Sequence, residues 1–241
     1  MKFLLITILS LFISFFASAK SVTIDINGMK LTYDKAPRLS SVLKQAVKQG
    51  DWYWPSSKLF DNKTTEIESE RQEIISELKL LLSDSSERQT QVITDLLTQV
   101  ESWQLMRRIS MRIDYDLARI KEQFNPRLIE SHYLLRVAAR PEIVNVFGTS
   151  HALAEMPHLP GAHISVYLQD DDLDCHADSD YVYVITPYGK VDKVNRSYWS
   201  NERYELAPGA EVYLPLPESL FSSEVESLNQ RIVSLAMHRV K

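Results

Sequence analysis

The spacing of apolar residues changes twice along this chain, and that change limits the fold more than any single motif does. Val22, Ile24 and Ile26 alternate with Thr23 and Asp25, and Met29, Leu31 and Tyr33 alternate onward. Between the two runs stands Asn27-Gly28, which supplies the two φ > 0 residues of a type I′ turn, so 21–33 is a predicted hairpin. Leu39, Val42, Leu43, Ala46 and Val47 then recur at helical spacing, and Gly50 ends that helix.

The helical period continues from about residue 64 to 106. Thr65 to Glu68 reads as a capping box, opening a helix with Ile67, Ile74, Ile75, Leu78, Leu81 and Leu82 on one side. Ser86 to Gln89 reads as a second box, before Val92, Ile93, Leu96, Leu97 and Val100. The short turn between them predicts an antiparallel helical hairpin. The period then returns to two at Ile109, Met111 and Ile113, and again at Leu134, Arg136 and Ala138. Strands before and after the hairpin imply an insertion into one sheet domain. Strand, turn, strand, helix is also the opening of a ubiquitin-like β-grasp unit.

Arg140-Pro141 marks a boundary. Beyond it lie strand-like runs at 143–148, 181–186, 191–194 and 208–215, similar in kind to those of the first unit, so a second, related domain is expected. Residues 222–241 form a last amphipathic helix with Val225, Leu228, Ile232 and Leu235 in its stripe. Such a stripe suits packing on the chain's own core or on a dimer partner. It also suits a detachable segment that meets a membrane or another protein.

Met1-Lys2, the apolar run Phe3–Phe16 and Ala17-Ser18-Ala19 have the layout of a secretory signal peptide, cleaved after Ala19. The apolar run is about 14 residues, short of the roughly 20 of a spanning helix. The expected mature protein is soluble and periplasmic. The sole cysteine, Cys175, is not at the cleavage point, so the protein is not expected to be a lipoprotein. One cysteine also excludes an intrachain disulfide and any zinc site that needs two. A net charge of −5 argues against a general nucleic-acid binder, and neither GxGxxG nor GxxxxGK[ST] occurs, so no nucleotide cofactor is expected.

Asp170, Asp172 and Asp174 stand two residues apart, as in an EF-hand loop. Cys175 replaces the glycine at loop position six and Tyr181 the glutamate at position twelve, so a hydrated acidic loop is the reading and no metal is assigned. No HExxH or GxSxG occurs, and no catalytic residue is assigned. Trp52, Trp54 and Trp199 offer planes on which a sugar face could stack, or fill the cores of small β units. Arg108 could grip an anionic sugar group, and Arg107 and Arg108 could equally pair with Asp114 or Asp116.

The ordered set Arg108-Ile109-Ser110-Met111-Arg112-Ile113-Asp114, Asn125-Pro126-Arg127-Leu128, Leu134-Leu135-Arg136-Val137, 140–148, 181–189 and 208–217 resembles the GfcC family of capsule and exopolysaccharide biosynthesis proteins. The resemblance implies an α+β fold. It comprises two β-grasp domains at 20–140 and 141–221, a helical hairpin inserted in the first at about 64–106, and a C-terminal amphipathic helix at 222–241. It also implies kinship with the periplasmic domains of Wza-like polysaccharide exporters, in which the terminal helix contributes to an outer-membrane pore. The implied role is non-catalytic assistance to capsule, O-antigen capsule or exopolysaccharide assembly or export. Partners would be the polysaccharide or its export machinery, with a homo-oligomer left open. A polysaccharide-modifying hydrolase or transferase, for which Asp114 and Asp116 are candidate carboxylates, and a scaffold or pore component are the competing roles. Arg107 stands where the family tends to have Gly, and Ser131-His132 where a Gly-Asp turn is common.

Overall fold

A computed structural model describes residues 21–149, 153–168, 180–195, 204–218 and 225–240. It is a mixed α and β structure built on two five-stranded sheets. The first contains β1 (Val22–Ile26), β2 (Met29–Tyr33), β3 (Lys58–Asp61), β4 (Arg107–Arg108) and β5 (His132–Arg136). The second contains β6 (Ile143–Gly148), β7 (Ala154–Pro157), β8 (Tyr181–Ile185), β9 (Val191–Asn195) and β10 (Glu211–Leu214). Their spatial orders are β2-β1-β5-β3-β4 and β7-β6-β10-β8-β9. Counted within each sheet, both read second, first, fifth, third, fourth. In both, the first and fifth strands pair in parallel and every other pair is antiparallel.

The opening hairpin forms as its sequence dictates. Ile26 pairs with Met29, and Asn27 and Gly28 turn the chain at φ 49° and 96°. Asn27 does more than turn. Its amide donates to Val137 O at 2.7 Å and accepts from Val137 N at 3.2 Å, tying the hairpin to the end of β5. Helix α1 (Leu39–Val47) lays Leu39, Val42, Leu43 and Ala46 on the sheet, and with Ile24, Ile26 and Leu135 they form the first core.

Helices α2 (Thr65–Ser83) and α3 (Glu87–Ser102) leave the first sheet between β3 and β4 and pack on each other. The Ser86 box is present: Gln89 Oε1 accepts from Ser86 N at 2.8 Å. The Thr65 box is not. Thr64 is the cap, its side chain makes no capping bond, and Glu68 reaches forward to Arg71 at 2.6 Å and Gln72 at 3.0 Å. A nearby guanidinium is a stronger partner for a carboxylate than a backbone N–H.

These two helices do not cover the sheet whose chain they interrupt. Ile74, Leu78, Ile93 and Val100 join Phe147, Tyr183 and Tyr213 of the second sheet. The final helix, α6 (Val225–Ala236), completes that layer. The second sheet is therefore buried on both faces. Val146, Val184 and Val212 face the short helix α5 (Ile164–Tyr167), and Phe147, Tyr183 and Tyr213 face the three long helices. This accounts for the unbroken apolar run of β8 and the complete burial of β10.

The predicted strand at Ile109–Ile113 does not form; the ladder ends just before it, at β4. Beyond Ile109, whose N–H donates to Leu59 O at 2.8 Å, the chain leaves the ladder, and Asp114 caps α4 (Tyr115–Ile120) by accepting from Leu117 N at 3.0 Å. Ile113 is buried in the first core and Ile109 and Met111 pack against it. Alternating burial survives there without a partner strand. β3, β7, α4 and α5 were not anticipated.

Candidate functional site at the seam between the sheets

The segment Gly50–Ser57 arrives at β3 through a single 3-10 turn, Trp54–Ser56, with Pro55 at its first turn where a missing N–H costs nothing. Trp52 is directed inward. Its indole N–H donates to Ala46 O at 2.8 Å, and its ring packs against the first core. Trp54 instead lines a cavity of about 650 Å³. Pro55 and Ser57 share its wall; the segment after β4 supplies Met111, Ile113 and Asp114. The third wall comes from the second sheet: Tyr188, Gly189 and Lys190, in the turn between β8 and β9.

That turn is held at both ends. Thr186 N donates to Lys190 O at 2.8 Å and Gly189 N to Thr186 O at 2.9 Å. Gly189 has φ 86°, and a Cβ there would stand 3.1 Å from Cζ of Arg108. The Arg108 guanidinium donates to Pro187 O, and its own N–H donates to His238 Nδ1 at 2.9 Å. Burial pushes the Arg108 pKa below its usual value, against a raising pull from Glu211. Arg108 is thus a buried tie between the sheets and fixes the turn that carries Tyr188.

A second tie runs beside it. Glu211 of β10 accepts from Lys58 of β3 at 3.1 Å and from Arg239, whose guanidinium lies 4.0 Å from the Phe147 ring centroid. The chain end is stitched in as well: Met106 N donates to His238 O at 2.9 Å and Val240 N to Gln104 O at 2.8 Å. His238 is held below its usual pKa by burial, then by the charges of Arg108 and Arg107.

Of the candidate residues singled out in the sequence, the structure brings Trp54 and Asp114 to the cavity wall. Arg108 is only 7% exposed and spent on Pro187, so a surface anion does not meet its guanidinium; Trp52 is half-buried and packs against the first core, as Trp54 also does, but is absent from the cavity lining. Arg107 pairs with Asp61, its Nε 2.9 Å from Oδ1, and not with Asp114 or Asp116. Asp116 pairs with Arg119 at 3.5 Å and is absent from the cavity lining. Val225, Leu228, Ile232 and Leu235 are buried in the chain's own core, so the stripe is covered in this conformation. Trp199, Asp170, Asp172 and Asp174, like the Met1–Ala19 stretch expected to be a signal peptide, lie outside the described residues. Among the described residues no cluster of three His, Cys, Asp or Glu could hold a metal, and no helix is long and apolar enough to cross a membrane. Sequence reasoning missed Tyr188, Met111 and Ser57 as neighbours, because they come from three separate segments. The glycine turn at Pro187-Tyr188-Gly189-Lys190 was the one available signal.

Two family models match the chain: capsule biosynthesis GfcC, N-terminal, over residues 18–140, and capsule biosynthesis GfcC C-terminal, over residues 152–241. The chain belongs to the GfcC family. A relative from Escherichia coli (strain K12), the uncharacterized protein YjbG, is 28% identical over 241 residues, covering 97% of this chain and 98% of its own. Family membership ties the chain to capsule biosynthesis and leaves the chemistry of the seam to be read from its side chains.

Proposed function

We propose that this is a non-catalytic periplasmic protein that assists the assembly or export of capsule or a related exopolysaccharide. It would act by contact with the export machinery or by holding the glycan. The observation that carries this is the pair of GfcC family matches, over residues 18–140 and 152–241. We read each sheet with its helices as a β-grasp domain, 20–140 and 141–221, since both share one strand order with a parallel first-fifth pair. The signal-peptide layout of Met1–Ala19 supports export across the inner membrane.

The side chains of the seam favour holding over cutting. Glycoside hydrolysis by the usual route uses two carboxyl groups facing each other about 5–9 Å apart. Asp114 is the sole carboxylate among the described residues lining the cavity, and one of its oxygens is engaged as the cap of α4.

Deletion of the gene is expected to reduce surface polysaccharide, and the full-length chain to restore it. A version lacking Met1–Ala19 is expected not to restore it. Unchanged surface polysaccharide in the deletion strain, assayed chemically on washed cells, would refute the proposal.

A further inference from the structure

We propose that the seam cavity is a subsite for one sugar ring of a glycan, and that it selects a ring bearing a methyl group, as an N-acetyl or a 6-deoxy sugar does. This rests on the capsule reading above and adds to it a place and a chemical class.

The volume, about 650 Å³, falls in the usual range of small-molecule sites. Its two aromatic walls come from opposite units: Trp54 from the first, half-buried, and Tyr188 from the second, 52% exposed. An exposed tyrosine and a half-buried tryptophan lining one cavity offer two planes for the apolar faces of a pyranose.

The rest of the lining is mixed. Pro55, Met111 and Ile113 are apolar, while Ser110, Arg112, Asp114 and Lys190 are polar. A fully hydroxylated ring would set hydroxyls against Met111 and Ile113 and lose their hydrogen bonds to water. A methyl group placed there gains by leaving water. The polar side still has capacity. Lys190 gives one contact to Asp192 at 2.7 Å, and an ammonium has three donors. Arg112 stands 3.8 Å from Asp114, beyond hydrogen-bond distance.

Ser57 supplies an independent observation. It lines the cavity, is 4% exposed, and its hydroxyl is buried without a hydrogen-bond partner among the described residues. Buried polar groups in native structures are nearly always paired. A ligand oxygen or amide reaching that wall would pair this one.

The test uses the mature chain and four trisaccharide probes: one of N-acetylglucosamine, its N-deacetylated counterpart, one of glucose, and one ending in fucose. Titration calorimetry measures affinity, and saturation-transfer NMR identifies the ligand protons that touch the protein. The acetyl or 6-methyl protons are expected to receive the strongest transfer. The N-acetylated and fucose probes should bind about tenfold more tightly than the other two, the two arms separating acetamido from deoxy preference. Trp54→Ala and Tyr188→Ala should each lose about tenfold, and Ser57→Ala a few-fold, with unfolding midpoints recorded to exclude loss of fold.

Equal affinity for acetylated, fucosylated and plain probes overturns the proposal. So does binding that survives both aromatic substitutions in folded protein, or no binding by any probe. In those cases a capsule defect in the deletion strain would leave the accessory role standing through protein contact. An unchanged capsule would remove that role whatever the probes do.

Discussion

The two sheets share one strand order and differ in what covers them. The first has a single core, on the face that α1 packs, while Lys30 and Thr32 on the outer hairpin strand stay exposed. The second is enclosed between α5 on one side and α2, α3 and α6 on the other. Its second layer is assembled from distant pieces of chain, a helix pair inserted in the first unit and the final helix. One topology can thus be completed by its own short helix or by borrowed ones, and strand order alone does not say which.

The borrowed layer contains polar devices that fix its position. Asn229 is fully buried and satisfied: it accepts from Tyr213 Oη at 2.8 Å and Leu216 N at 2.9 Å, and donates to Leu216 O at 2.9 Å. Arg231 reaches Glu70, Glu73 and Glu77 of α2 at 2.6, 3.2 and 2.7 Å. A segment held only by apolar contacts could slide; these bonds give α6 one register.

The sharpest way to break the comparison is to remove α6. Ending the chain at Ser222 deletes the buried Val225, Leu228, Ile232, Val233 and Leu235. At roughly 1.5–3 kcal/mol each, that is comparable with the whole stability of an ordinary domain. The shortened protein is expected to lose its cooperative unfolding transition, measured by circular dichroism in urea. A truncated form that keeps its midpoint would mean the helix is a detachable segment, as the amphipathic pattern alone permits.

Next is the tie between the sheets. Glu211→Ala leaves Arg239 buried without its carboxylate and frees Lys58, and is expected to cost about 3–5 kcal/mol in the urea midpoint. Little change would mean that the ion pairs do not couple the sheets.

A smaller effect concerns His238, which accepts from Arg108 N and has Arg107, Arg108 and Asp61 as charged neighbours. Its folded pKa lies below the unfolded value, so the unfolded chain binds the proton more readily. The stability from neutral His238 is complete above about pH 6.5 and is lost as pH falls toward the lower folded pKa. His238→Asn, which keeps an acceptor near the same place, should flatten the fall in melting temperature between about pH 6.5 and 5. Smallest is Thr32→Val on the exposed edge of the first sheet, expected within about 0.5 kcal/mol in the same urea assay.

The elements were legible where local chemistry decides them. Asn27-Gly28, the helical spacing of α1 and the Ser86 box each act within a few residues, and each appears in place. Ile109–Ile113 was misleading because alternation reports burial and not pairing. The site was mostly illegible. Trp54 could be named as a plane, but its companions Tyr188 and Met111 are brought to it by the seam, which depends on Arg108, Lys58 and Arg239 meeting partners far away in sequence. Arg108 shows the converse: a cation read as a ligand group proves to be a strut, because nothing local reveals that Pro187 O will reach it.

The placement of the inserted helices bears on how such a protein can change over generations. Family similarity divides the chain near residue 140, yet the layer over the second sheet draws on 65–102, upstream of that division. Exchanging the C-terminal half with that of a relative would set a foreign sheet and foreign final helix against resident α2 and α3. Glu70, Glu73 and Glu77 would need a cation in the place of Arg231, and Gln99 would need the backbone of Gly148, to which it bonds at 2.9 and 3.0 Å. A chimera that keeps the insertion with the second half should therefore tolerate the swap better than one cut at the boundary between the sheets.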